Sequence, residues 1–305
     1  MEIKEKQKKQ LAGILMVVVS AAGFGTLPLF ARAAYTDGLD ALTILFLRFS
    51  MAAVMMLALV AMRRERLPHG GTLLRLVAMG GLGYVGQAYA YLTALRYASV
   101  GLVALLLYLY PVFVAFGAAL LYRERITLQK GLALGLALAG IALTVGPSGG
   151  QVIGALLAVT AALIYSVYIL VGADVMKQVS AVQSSAVIFA AAGLSSGILM
   201  ALNGPHMPAS GTGWAAMAGI VLLATVVPVV TFLAGIERVG PANAALLSTL
   251  EPVVTVALAA VFMGEAQQPV VLAGGGLILL AVVLLARSEM QTGFRTIERE
   301  PSRPD

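Results

Sequence analysis

One carboxylate lies deep inside an apolar stretch of the sequence. Glu251 directly precedes Pro252 in TLEPVVTVALAAV, residues 249–261. An ionisable group in such a place predicts a function, either holding a proton or binding a substrate ammonium. The alternative is that Glu251 stays protonated or bonds to backbone groups that the proline leaves free. The sequence alone leaves both interpretations open.

Phenol and amide side chains recur with helical spacing in GGLGYVGQAYAYLTALRY, residues 80–97. Tyr84, Gln87 and Tyr91 fall on one helical face, and this face matches lipid poorly, so it should point to the protein interior. Further candidate substrate-binding residues in other apolar stretches are Tyr108, Tyr110, Tyr165, Tyr168, Asn243 and Ser248. Any single tyrosine could instead be an interfacial or packing residue. As a group they favour a cavity.

Catalytic and metal-binding patterns are missing from the sequence. There is no cysteine, and the two histidines, His69 and His206, lie in separate loops. Glycine-rich stretches lack the Lys-Ser/Thr of a phosphate-binding loop, which argues against direct use of ATP. We therefore expect no enzyme activity, no metal and no cofactor.

Composition indicates an integral membrane protein. Hydrophobic residues make up 60% of the chain, charged residues only 11%, and the mean hydropathy is +0.95. Continuous apolar runs of about 20 residues predict transmembrane helices rather than a barrel. Ten runs are predicted, at 11–33, 40–62, 73–95, 99–121, 128–146, 151–172, 181–202, 213–236, 241–262 and 268–287.

The distribution of positive charge predicts the topology. With a cytoplasmic N-terminus, 17 of the 20 Lys and Arg residues fall on the inner side of the membrane. This asymmetry follows the positive-inside rule and places both termini in the cytoplasm. The net charge of +6 is therefore explained by topology and does not indicate nucleic-acid binding.

The chain repeats itself at an offset of 141 residues. Pro111 and Glu124 in the first half correspond to Pro252 and Glu265 in the second. Each half holds five predicted spans, an odd number, so the second half should be inverted relative to the first. The predicted regions are a basic cytoplasmic tail, a first repeat, an inverted second repeat and a polar cytoplasmic tail, at 1–10, 11–146, 151–287 and 288–305.

Prolines and glycines mark where spans should bend or pack. The four prolines within spans are predicted to be hinges or static kinks, and they are Pro28, Pro111, Pro228 and Pro252. The GLALG sequence at 131–135 predicts close helix packing, within one molecule or between two.

Three stretches resemble the drug/metabolite transporter superfamily, in its EamA-type branch. They are ILFLRFSMA (44–52), PVFVAFGAALLYRERIT (111–127) and LEPVVTVALAAVFMGEAQ (250–267). The resemblance implies ten spans, with a central cavity lined by spans 1, 3, 4, 6, 8 and 9, and export from the bacterial cytoplasm across the inner membrane. It puts the second span, with Arg48, away from the cavity centre. Arg48 is therefore expected to snorkel or to brace a neighbouring helix.

These observations predict a secondary transporter that exports small neutral or zwitterionic metabolites by alternating access. Within the branch the chain looks most like amino-acid exporters, a step that rests on analogy. The expected cavity carries at most one formal charge, which disfavours strongly anionic substrates. Transport of lipids or hydrophobic drugs is the first alternative, and a membrane-embedded enzyme or sensor is the second. The sequence leaves monomer and homodimer equally open.

Overall fold

The described part of the chain is helical throughout its regular structure. The computed structural model describes residues 2–121, 128–145, 151–239, 244, 247–266 and 268–299, and no strand occurs in these ranges. The α-helices are α1 (Glu2–Gly25), α2 (Leu27–Thr36), α3 (Ala41–Met62), α4 (Gly70–Ala78), α5 (Val85–Ala94), α6 (Val100–Leu107), α7 (Tyr110–Leu121), α8 (Leu128–Val145), α9 (Val152–Gly172), α10 (Ala181–Asn203), α11 (Gly211–Val221), α12 (Val227–Val239), α13 (Leu250–Met263) and α14 (Pro269–Arg299). Two π-helical segments, Met79–Tyr84 and Leu222–Val226, join α4 to α5 and α11 to α12.

Many of these helices can cross a membrane. Within the described residues, six helical segments are long and apolar enough, at Lys9–Thr36, Ala41–Met62, Val100–Leu121, Val152–Gly172, Ala181–Asn203 and Gly211–Ile236. Shorter apolar helices lie at Gly131–Leu143, Leu250–Met263 and Pro269–Leu285. The predicted all-helical membrane architecture is confirmed. The count of ten spans stays a prediction.

Short polar side chains fix where several helices begin. Asp40, Ser99, Ser180 and Ser210 each accept a hydrogen bond from a backbone N–H in the first turn of α3, α6, α10 and α11, respectively. Such N-caps satisfy amide donors that have no partner inside the helix. They place the helix starts at the ends of the bundle, where loops can reach water.

Helices from the two halves pack against each other in a regular pattern. Helix α3 contacts α10, α8 contacts α14, α1 contacts α12, α5 contacts α9 and α6 contacts α13. In terms of the predicted spans these pairs are 2–7, 5–10, 1–8, 3–6 and 4–9. The set is unchanged when each span is exchanged for its counterpart in the other half. Such a pattern is expected of two repeated units related by a twofold axis; their opposite orientation in the membrane stays a prediction.

Each predicted hinge proline lies near the start of a helical segment. Pro28, Pro111 and Pro228 are the second residues of α2, α7 and α12, and Pro252 is the third residue of α13. Proline has no N–H, and it is tolerated in the first turn because that donor would have no partner there. The chain breaks its α-helical pattern just before each proline. Whether these breaks move as hinges stays a prediction.

At the predicted outer end, Glu265 ties the second half of the chain to the first. Its Oε1 and Oε2 accept hydrogen bonds from the backbone N–H of Val100, at 3.1 and 3.0 Å. Val100 is the first residue of α6, where the helix dipole favours a carboxylate. Arg32 Nη2 lies 3.6 Å from Glu265 Oε1. The symmetry-related Glu124 lies outside the described residues.

A second link at this end joins the loop after α2 to the loop before α11. The carboxylate of Asp37 accepts hydrogen bonds from the Ser210 hydroxyl and from the backbone N–H of Ala209, the latter at 2.9 Å. The hydrogen bond from the Ser210 hydroxyl holds the pKa of Asp37 below its usual value. The two loops come from different halves, so this contact also connects the repeats.

Close packing between α8 and α14 occurs at Gly140, outside the GLALG sequence. No atom of the described residues lies within 4 Å of where a side-chain methyl would be at Gly131 or Gly135, so GLALG does not mediate packing inside this part of the molecule; packing between two molecules stays a prediction. At Gly140 the same methyl would lie 2.6 Å from the backbone oxygen of Gly274 and 2.7 Å from Ile278 Cγ1. Gly140 is therefore the residue that lets these two helices approach.

We expect Gly140→Ala to lower the thermal unfolding temperature of the purified protein in detergent. The backbone oxygen of Gly274 cannot rotate away from an added methyl group, and overpacking of this kind costs about 1–3 kcal/mol. Gly135→Ala in the same helix is the matched control, and it should be neutral or stabilising because alanine favours helix formation. Equal unfolding temperatures for the two variants would contradict the close contact.

Candidate functional site

A cavity of about 130 Å³ lies among the broken helices. It is lined by Phe24, Leu27, Arg48, Tyr84, Gln87, Ala88, Tyr91, Leu107, Tyr108, Tyr110, Tyr165 and Glu251. These residues come from predicted spans 1, 2, 3, 4, 6 and 9. The lining therefore draws on both halves of the chain and combines tyrosine rings, one amide and two opposite formal charges.

The structure brings most of the candidate residues from the sequence to this one place. Seven of the ten line the cavity, namely Tyr84, Gln87, Tyr91, Tyr108, Tyr110, Tyr165 and Glu251. Tyr168 does not line the cavity but stacks on Tyr165, which does. The backbone oxygen of Ser248 accepts a hydrogen bond from Tyr108. Asn243 lies outside the described residues. Substrate binding by any of them stays a prediction.

Glu251 occupies the first turn of α13, which follows the break at Thr249. Tyr108 Oη lies 2.9 Å from Glu251 Oε2 and 2.5 Å from the backbone oxygen of Ser248. A phenol has one proton, so Tyr108 donates to only one of these two oxygens at a time. The helix N-terminus, this hydroxyl and the positive charge of Arg48 stabilise the Glu251 carboxylate.

Tyrosine rings form a continuous wall on one side of the cavity. Ring centroids are 5.8 Å apart for Tyr108 and Tyr110, 4.7 Å for Tyr110 and Tyr165, and 5.9 Å for Tyr165 and Tyr168. Tyr84 continues the wall at 5.9 Å from Tyr168. The faces of aromatic rings attract cations, so a wall of this kind next to a carboxylate favours a positively charged group in the cavity.

Arg48 departs from its expected place. Its side chain is only 4% exposed, so the expectation that it snorkels to the surface is wrong. It does brace a neighbouring helix, because Nε donates a hydrogen bond to Thr225 Oγ1 at 2.9 Å. The same side chain also lines the cavity, which corrects both the outer position given to span 2 and the limit of one formal charge.

The π-helical segments place two residues of this arrangement, and the sequence analysis missed both segments. Tyr84 ends the segment Met79–Tyr84, and Thr225 lies in the segment Leu222–Val226. Tyr84 and Thr225 are counterparts at the 141-residue offset. The glycine run GGLG, residues 80–83, was the available signal, since the first segment contains no proline. Span 8 was expected to line the cavity but supplies no described lining residue. Its Thr225 instead accepts a hydrogen bond from Arg48.

A separate apolar groove lies behind the tyrosine wall. Its volume is about 460 Å³, and it is lined by Arg75, Ala78, Met79, Gly83, Leu163, Ile164, Val167, Tyr168 and Val171. Tyr168 faces this groove while its ring stacks on Tyr165 of the central cavity. The ring of Tyr168 therefore lines the groove and contacts the wall of the central cavity.

Comparison with protein families decides the class of this protein. The EamA-like transporter family matches the chain twice, over residues 11–146 and 152–287. The chain belongs to the EamA-like transporter family. The resemblance to the drug/metabolite transporter superfamily inferred from the sequence is thereby confirmed. Family membership indicates a multi-pass membrane transporter rather than an enzyme, and it leaves the substrate open.

Two relatives cover nearly the whole length of this EamA-like chain. An uncharacterized transporter of Bacillus subtilis (strain 168), YcbK, is 24% identical over 306 residues, which cover 96% of this chain and 98% of the relative. An uncharacterized transporter of Archaeoglobus fulgidus is 29% identical over 279 residues, which cover 90% of this chain and 96% of the relative. A protein of known crystal structure, 24% identical, superposes with a TM-score of 0.63 over 92% of this chain and 99% of that one. This last likeness supports the fold alone.

We expect Tyr108→Phe to lower the thermal unfolding temperature, because it removes the hydroxyl that donates to the backbone oxygen of Ser248 or to the carboxylate of Glu251. Leaving such a buried acceptor unpaired costs about 1–3 kcal/mol. The matched control is Tyr89→Phe, since the Tyr89 side chain is 44% exposed. Thermal unfolding of both variants in the same detergent measures the difference. An unchanged Tyr108→Phe protein would show that the hydroxyl contributes nothing to the fold.

Proposed function

We propose that this EamA-like transporter exports small neutral or zwitterionic metabolites, amino acids foremost, by alternating access. The observation that carries the proposal is the meeting of one carboxylate and a wall of tyrosines in a single central cavity. A primary ammonium group is complementary to both, through an ion pair with Glu251 and through the faces of the surrounding rings.

The size of the cavity favours a small solute. Pockets that bind drug-sized molecules usually have volumes of roughly 300–1,000 Å³. The central cavity, at about 130 Å³, is well below that range. A compact solute with few carbon atoms fits this space better than a lipid or a large drug does.

The contacts at the predicted outer end support a closed state on that side. Glu265 links the end of α13 to the start of α6, and Asp37 links two further loops from different halves. Alternating access requires such contacts to break when the cavity opens outward. The proposal includes the bacterial inner membrane as location, cytoplasmic termini, and repeat boundaries at 11–146 and 151–287 with flanking tails at 1–10 and 288–305.

Proteoliposomes loaded with radiolabelled amino acids test the proposal. We expect efflux of at least one amino acid through the wild-type protein, and a decrease of about tenfold or more in Glu251→Gln, which loses the ion pair with the ammonium. Asp174→Asn is the matched control, because the Asp174 side chain is 71% exposed and lies in a loop. Absence of flux for every amino acid, in protein shown to be folded, would count against the proposal.

The same variant tests whether Glu251 couples transport to protons. If Glu251 carries the coupled proton, residual flux in Glu251→Gln should no longer change with pH, whereas wild-type flux should. The measurement is efflux across a series of external pH values at fixed internal pH. An identical pH profile in both proteins would remove the proton role and leave ammonium binding as the function of the carboxylate.

Transport of lipids or hydrophobic drugs is a second candidate because of the apolar groove behind Tyr168. The groove is larger than the central cavity, at about 460 Å³, and its lining residue Tyr168 contacts Tyr165 of the cavity wall. Efflux of a hydrophobic dye such as ethidium that rises in Tyr168→Ala, together with no efflux of amino acids, would favour this candidate over the first.

A further inference from the structure

Arg48 lines the central cavity and has hydrogen-bond donors that no described residue uses. A guanidinium group has five N–H donors. One of them, at Nε, is taken by Thr225 Oγ1. No described residue accepts a hydrogen bond from Nη1 or Nη2, so these two nitrogens are available to a ligand in the cavity.

Contacts with Thr225 and Phe49 fix the position of the Arg48 guanidinium. Thr225 Oγ1 accepts from Arg48 Nε and itself donates to the backbone oxygen of Ile220 at 2.7 Å, within the π-helical region. The guanidinium carbon also lies 5.3 Å from the centroid of the Phe49 ring. A donor group held in one orientation loses little conformational freedom when it binds a ligand.

Leaving a charged side chain buried without a counter-charge is costly. Arg48 is 4% exposed, and although it attracts Glu251, the other charged residue of the cavity, the two side chains form no direct ion pair. Both residues are instead held by neutral hydroxyl groups, those of Thr225 and Tyr108. The cavity thus keeps one positive and one negative group apart, each with capacity to bind an opposite charge.

We propose that Arg48 binds the carboxylate of the transported molecule, so that recognition requires a carboxylate beside the ammonium. The two Nη atoms suit a carboxylate because they can donate two parallel hydrogen bonds to its two oxygens. Glu251 binds the ammonium of the same molecule. The assignment rests on the proposed function and narrows it, since an amine without a carboxylate would leave Arg48 unpaired.

The first test needs no variant. Counterflow of radiolabelled alanine, serine and threonine into wild-type proteoliposomes is competed with each parent amino acid and with its α-amide, which keeps the ammonium and loses the negative charge. We expect the amide to compete about 10- to 100-fold more weakly, the usual loss for a missing charged hydrogen-bond partner. Equal competition by amide and amino acid would overturn the proposal.

The second test assigns the discrimination to Arg48. Arg48→Gln should lose amino-acid transport while keeping transport of the radiolabelled α-amide, and Arg48→Lys should lie between the wild-type protein and Arg48→Gln because lysine keeps the charge without the paired donors. A parallel loss for amino acid and amide would mean that Arg48 only supports the fold, and would overturn the proposal.

If Arg48→Gln does not fold, Thr225→Val replaces it. This variant keeps the guanidinium but removes its anchor, so KM for the amino acid should rise while KM for the amide stays unchanged. Equal effects on both ligands would overturn the role of Arg48. Wild-type transport of amides without amino acids would overturn this assignment but leave a transport function, whereas transport of neither would overturn the proposed function as well.

Discussion

The rest of the structure depends on how two ionisable side chains are accommodated inside an apolar helical bundle. Arg48 and Glu251 both line the central cavity, and each would be costly there without polar neighbours. They attract each other across the cavity without forming a direct ion pair. Each is held by one hydroxyl from the opposite half of the chain, Thr225 for Arg48 and Tyr108 for Glu251. The halves must therefore pack in register for either residue to be tolerated.

Helix breaks make this arrangement possible because they free backbone oxygens at the depth of the cavity. Hydroxyl groups then satisfy these oxygens. The hydroxyl groups of Tyr108, Thr255 and Thr225 donate hydrogen bonds to the backbone oxygens of Ser248, Gly25 and Ile220, respectively. Broken helices are stable within a membrane only where such partners exist. The hydroxyls near the cavity therefore have a structural function independent of any ligand, and the proposal of a binding site rests on the two charged groups.

Local features of the sequence predicted much of the site, whereas long-range contacts did not follow from it. Helical spacing and residue type were enough to select Tyr84, Gln87 and Tyr91, and burial of a lone acid pointed to Glu251. Arg48 was misplaced because its partner lies 177 residues away, in a π-helical segment. Pro228 predicted a bend near this segment but not which residue the bend brings to Arg48. For a related reason the GLALG spacing did not identify the glycine that packs between α8 and α14. Small residues permit a close approach, but spacing alone does not say which glycine meets a neighbour, and between these two helices it is Gly140.

The contacts at the bundle ends differ in kind from those at the cavity. Arg32 and Glu265 have side chains that are 37% and 14% exposed, so water can replace their ion pair at a cost of about 0–1 kcal/mol. The hydrogen bonds of Arg48 and Glu251 lie inside the bundle, where losing a partner would leave a buried charged side chain unpaired. Because Tyr108 directly follows α6 and Glu251 lies in α13, these two helices can separate at the predicted outer end and keep this hydrogen bond only by pivoting about it.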